Sequence, residues 1–136
     1  PADAATGVSV TPALQTTATD THSDYLRYKI ELCENAGMST NCQTFDQTSS
    51  QAGWSGQNTQ TSTAYTSGTQ ATYTGQCALA AATTYYFRSY AIDPGGSNTW
   101  SSTQGSPYSF TTGAAPGGGT DSVYFEGLNF ESINIR

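Results

Sequence analysis

Leu26-Arg27-Tyr28-Lys29-Ile30-Glu31-Leu32-Cys33 carries the clearest structural signal in the chain. In an extended segment Leu26, Tyr28, Ile30 and Leu32 share one face, and Arg27, Lys29, Glu31 and Cys33 the other. A period of two marks a strand with one side on a core and one in water, as antiparallel sheets commonly have. A second stretch repeats the pattern. Tyr85, Phe87, Ser89 and Ala91 alternate with Tyr86, Arg88, Tyr90 and Ile92, until Asp93-Pro94-Gly95-Gly96 ends the strand with turn chemistry. Working outward, residues 14–19, 43–47 (with Phe45 inward), 71–74 and 108–112 give shorter strands, and Asp20-Thr21-His22-Ser23-Asp24 is a turn by residue type. Residues 48–69, rich in Ser, Thr, Gln and Gly with Trp54 among them, predict a long irregular connection. No segment holds a 3.6 period for more than two turns, so the expected class is all-β.

The 136 residues are room for one domain and a tail. Only 10% are charged, yet nine Tyr, five Phe and two Trp spread along the chain predict a packed core rather than disorder. The net charge is −6, and only Arg27, Lys29, Arg88 and Arg136 are basic. No basic patch is present to neutralise phosphates, which argues against nucleic-acid binding and attraction to anionic membranes. No apolar run approaches the ~20 residues of a membrane-spanning helix. The chain begins at Pro1, as expected of a protein whose leader has been removed or of a piece of a longer chain.

Cys33, Cys42 and Cys77 lack C-x-x-C spacing and lie far from the single histidine, His22, so a zinc site has little support. One disulfide and one remaining thiol is the simplest arithmetic. A Cys33–Cys42 bridge would tie the two arms of a hairpin across its loop, worth roughly 2–3 kcal/mol by chain entropy. Scarce charge and a disulfide fit a secreted, cell-surface protein. Cys77 is then either a buried free thiol or a link to another subunit.

The stretch Leu79-x5-Tyr85-x-Phe87-Arg88-x2-Ala91-x-Asp93, followed by Gly96, Trp100-Ser101 and Tyr108-x-Phe110-Thr111-Thr112, resembles the second half of a fibronectin type III repeat. Asp20, Asp24 and the Leu26/Tyr28/Ile30 strand match its first half more loosely, and the resemblance spans about residues 10–113. It implies an immunoglobulin-like antiparallel β-sandwich, with Leu79 and Tyr85 at the spacing of the tyrosine corner, whose hydroxyl bonds the backbone just upstream. Ser89 departs from the apolar residue expected at its position. Divergent copies are common in bacterial surface proteins, so the resemblance implies a scaffold or adhesion role, by analogy alone.

The expected organisation is a strand or linker over 1–12, the sandwich over 13–112, a Gly-rich hinge over 113–120 and a tail over 121–136. In the tail, Val123/Phe125, Leu128/Phe130 and Ile133/Ile135 recur every five residues, similar to pentapeptide repeats but too few to stand alone. Such apolar density is a liability in water. The tail is therefore expected either to begin a β-solenoid continuing beyond residue 136 or to dock as an extended strand, within the chain or on a neighbouring copy. The working expectation is strand exchange in an open-ended filament. No catalytic constellation is expected: Gly53-Trp54-Ser55-Gly56 lacks the spacing of a nucleophile elbow, and His22, between acidic residues in a turn, reads as a solvent-exposed loop histidine. Lys29, on the polar face, is badly placed for an isopeptide crosslink. Two binding sites are expected as candidates. Asp20, Asp24 and Asp93 fall at one end of such a sandwich and offer oxygen ligands to calcium. Trp54, Trp100, Tyr86 and Tyr90 could form a stacking platform for a glycan. The leading expectation is a non-catalytic structural or adhesive subunit, against a carbohydrate-binding module or a passive spacer.

Overall fold

The computed structural model describes residues 1–116. Nine strands form among them: β1 (Ala5–Val8), β2 (Leu14–Thr16), β3 (Arg27–Cys33), β4 (Gln43–Asp46), β5 (Trp54–Ser55), β6 (Ala71–Tyr73), β7 (Thr84–Ile92), β8 (Ser101–Ser102) and β9 (Tyr108–Thr112). No helix occurs in the described residues. The larger sheet runs β1-β9-β7-β3-β4 with β8 also on β7, and the smaller runs β2-β6-β5. The two sheets enclose one core, a sandwich-like, all-β arrangement.

β3 lies between β4 and β7, and register explains why its alternation is so regular. Leu32 faces Phe87, Ile30 faces Ser89 and Tyr28 faces Ala91, so the inward set of one strand lies beside that of the other. Leu14, Ala71, Tyr73 and Trp54 meet them from the small sheet. Tyr28 and Tyr65, both fully buried, meet edge to face at 5.2 Å. Burying each aromatic side chain is worth about 1.5–3 kcal/mol. Ser89, odd at an inward position, is paid for by hydroxyl partners: Thr16 Oγ1 lies at 2.8 Å and Thr103 Oγ1 at 2.5 Å.

Three expectations need correction. The connection over 48–69 contains β5, and Trp54 and Tyr65 from it enter the core. Tyr65 is held there by a two-bond bridge to Leu26 and by its hydroxyl, which donates to the Ser55 carbonyl at 2.9 Å. Secondly, the strand expected within 1–12 forms as β1, but it departs from the antiparallel arrangement expected of the sandwich. β1 lies parallel to β9, Ala5 opposite Phe110 and Val8 opposite Thr112, so the larger sheet is mixed rather than wholly antiparallel. Thirdly, Gly113, the first residue of the expected hinge, is tied to the body: its N–H donates to the Val8 carbonyl and its own carbonyl accepts from Ala82 N–H. Residues 117–136, which include half of the expected hinge and the whole tail with Val123, Phe125, Leu128, Phe130, Ile133 and Ile135, lie outside the described residues.

β8 and β9 share one side of β7 but not one register. Tyr90 faces Ser102 and Phe87 faces Tyr108, so three residues back along β7 correspond to six forward on the edge. The excess loops out near Thr103 and Gln104, where Thr103 N–H donates to Ser89 O and Gln104 Oε1 accepts from Ser89 N–H.

Candidate functional site

The antiparallel register of β3 and β7 sets Arg27 beside Ile92, which brings the turn before β3 and the turn after β7 to the same end of the sandwich. The three acidic residues expected there do converge: one carboxylate oxygen from each of Asp20, Asp24 and Asp93 lies within 4.8 Å of the others. Asp20 Oδ2 accepts from the backbone N–H of His22 (2.7 Å) and Asp24 (3.1 Å). These bonds, the one from Asp24 foremost, hold its carboxyl below the ordinary carboxylate range. Asp93 Oδ1 accepts from Gly95 and Gly96 N–H at 3.0 and 2.8 Å. Both aspartates therefore cap their own turns, which accounts for them without any ligand. Oxygens no more than 4.8 Å apart lie at most ~2.8 Å from a point between them, against a Ca–O range of about 2.3–2.6 Å.

Two clefts flank the cluster. One, of about 340 Å³, is lined by Asp24, Tyr25, Arg27, Thr61, Asp93 and Pro94. Tyr25 is 56% exposed, the most exposed large apolar side chain among the described residues. Arg27 has no ion-pair partner among them. The other cleft, of about 200 Å³, is polar, with Asp20, Ser97, Thr99 and Asp93 in its wall.

The expected stacking platform does not form. Trp54 is buried, 5.1 Å from the Tyr73 ring, so it belongs to the core. Tyr90 and Trp100 lie on the outer face of the large sheet, but the Lys29 ammonium sits over both, 4.5 and 4.9 Å from their centroids. Tyr90 also donates its hydroxyl to Glu31 Oε2 at 3.0 Å. Tyr86, half-buried, is opposite Cys33. Lys29 thus stays on the polar face, where cation–π contacts rather than a crosslink occupy it.

A third cleft, of about 410 Å³, opens between β4 and β5 and is lined by Thr44, Phe45, Asp46, Ser49, Trp54 and Tyr73. Phe45, half-buried, stacks on Tyr73 at 4.3 Å.

Cys33 and Cys42 are bridged, joining the end of β3 to the chain just before β4. Cys77 is free and exposed, which removes the buried alternative. Leu79 is buried, and the Tyr85 hydroxyl accepts from Ala80 N–H at 3.0 Å, a bond to the backbone just upstream. His22 is exposed, its Nδ1 3.3 Å from Thr21 Oγ1. Sequence reasoning missed Tyr25 and the buried Gln47. Tyr25 was findable, since it precedes Leu26 and so falls on the opposite face, beside a turn. Comparison of the chain with protein-family models, with curated proteins and with solved structures finds no match.

Proposed function

We propose that this chain is a non-catalytic, extracellular structural or adhesive module of the fibronectin type III/immunoglobulin-like class. It serves as a subunit of a surface filament or polymer, and the strand-forming tail over 121–136 joins one copy to the next. The observation that carries the reading is a pair of sheet edges on one cleft: β4 ends the larger sheet and β5 the smaller, with β1 and β2 at their opposite edges. Neither β4 nor β5 contains Lys or Pro, residues that commonly defend an edge against pairing. The Tyr85–Ala80 bond and the buried Leu79 support the class, as does the disulfide an exported location. Sedimentation and electron microscopy of purified chain, with and without residues 121–136, test the reading. Concentration-dependent polymers that vanish on truncation support it, and a monomer at all concentrations defeats it.

A carbohydrate-binding module is the second reading, and the cleft around Tyr25 favours it over the aromatics first suspected. An exposed ring beside Arg27, Asp24 and threonine hydroxyls offers a stacking face together with donors and acceptors for a polyol. A glycan array that binds the parent and loses signal with Tyr25→Ala would establish it; an array without signal would remove it.

A further inference from the structure

We infer that the cleft between β4 and β5 is the acceptor for the tail of a second copy of this chain, with Val123 and Phe125 seated beside Phe45. The inference rests on the assembly reading and names the place where that assembly occurs.

Each of the two strands is hydrogen-bonded on one side only, β4 to β3 and β5 to β6. On the open side of such a strand, alternate residues present N–H and C=O groups with no partner in the sheet. The two open sides flank the same cleft, of about 410 Å³. A strand entering there can take its main-chain bonds from β4 while its side chains reach between the sheets.

The lining selects an apolar occupant. Phe45, Tyr73 and Trp54 form a run of aromatic contacts at 4.3 and 5.1 Å, and Phe45 at its outer end is still half in water. Asp46 and the hydroxyls of Thr44, Ser49 and Ser50 rim this cleft, as carboxylates and hydroxyls rim the two clefts beside the acidic cluster, but neither of those holds a run of stacked aromatics. The cleft against β2 is walled by Gln, Thr and Ser around Tyr108.

The chain beyond the described residues supplies such an occupant. Val123/Phe125, Leu128/Phe130 and Ile133/Ile135 each stand two apart, so each pair falls on one face of an extended segment, about 7 Å along it. β4 is four residues long, which matches one such unit rather than the whole tail.

Direction favours a second copy over the same chain. Thr111 of β9 faces Thr84, Tyr86 faces Cys33, and Leu32 faces Gln43, so β9 ends at the end of the sandwich where β4 begins. A tail turning back within its own chain would run parallel to β4. A tail from another copy can run antiparallel, the slightly more stable pairing per residue.

The test uses the full chain with Cys77→Ser. Thr44→Cys combined with Phe125→Cys should give a ladder of disulfide-linked oligomers on a non-reducing gel. Ser49→Trp, at an exposed position in the cleft wall, should raise the midpoint concentration for assembly at least tenfold, and Gln60→Trp, in the Tyr25 cleft, should leave it within twofold. Assembly that survives deletion of 121–136 overturns the assembly reading itself. Assembly that needs the tail but ignores Ser49→Trp, without the Thr44–Phe125 crosslink, overturns the cleft assignment alone. A crosslink confined to monomers overturns the role of the second copy.

Discussion

Gln47 is 1% exposed, and replacing it tests how the long connection is fastened to the core. Its side-chain Oε1 accepts from Tyr28 N–H at 3.1 Å, and its Nε2 donates to the Thr63 carbonyl and to Gln51 Oε1, both at 3.0 Å. One amide therefore joins the start of β3 to the segment that delivers Tyr65 to the core. Gln47→Leu keeps the bulk but strands the Tyr28 N–H and the Thr63 carbonyl, each costing about 1–3 kcal/mol when buried without a partner. Apolar burial of the leucine offsets part of this, leaving a loss of roughly 2–4 kcal/mol. At a urea slope of about 1.5 kcal/mol/M the unfolding midpoint should fall by roughly 1–3 M. Gln47→Glu sharpens the test. Its carboxylate still accepts from Tyr28 but cannot donate to Thr63, whereas the protonated acid can. Burial raises the folded-state pKa of such a group, so its stability is fully present below the unfolded value near ~4.3 and is lost as pH rises through the folded value. The Glu variant should therefore lie closest to the parent at acid pH and furthest from it at neutral pH. Midpoints for Gln47→Leu within about 0.5 kcal/mol of the parent, with a pH-independent Glu variant, would refute the argument.

Four further outcomes are expected. Cys33→Ser with Cys42→Ser should cost roughly 2–3 kcal/mol of unfolding free energy, the chain-entropy value for a bridge spanning nine residues in sequence, read by denaturant titration. Tyr85→Phe should cost about 1 kcal/mol by removing the acceptor of the Ala80 N–H, with the circular dichroism spectrum unchanged. The Asp20 carboxyl, held low by backbone donors, contributes stability that is present above its unfolded pKa and lost as pH falls through the lowered folded value; Asp20→Asn should flatten the acid limb of a melting-temperature profile. Folded protein should react with one equivalent of a thiol reagent, at Cys77, and with three after reduction and unfolding.

The parts of the fold legible in the sequence are those where a strand has one dry face and one wet one. β3 and β7 meet that condition along most of their length, so their alternation reports their burial directly. β5 is two residues long, too short to show a period, and its buried Trp54 is set among Ser, Gly and Gln that signal only a loop. Tyr65 enters the core from a segment with one isolated bridge, so nothing local announces it. The partner of β1 was illegible for another reason: alternation says which face is buried, but not whether a neighbour runs parallel. Asp20, Asp24 and Asp93 were legible because turn chemistry and topology alone bring them to one end. The glycan platform failed because the surface of an aromatic side chain is decided by tertiary neighbours, here the core around Trp54 and the Lys29 ammonium over Tyr90 and Trp100.

The parallel contact of β1 with β9 also decides how this body carries load. Tension drawn through the two ends of the chain pulls β1 toward its start at Ala5 and β9 toward its finish at Thr112, in opposite directions along the same axis. The bonds between them, among them Ala4 N–H to Ser109 O and Gly113 N–H to Val8 O, are then stressed in shear and together. An antiparallel pair pulled from the same two ends would peel open one bond at a time. Under such a load the body meets stretching with its stiffest geometry, and the seam between β1 and β9 acts as a mechanical clamp.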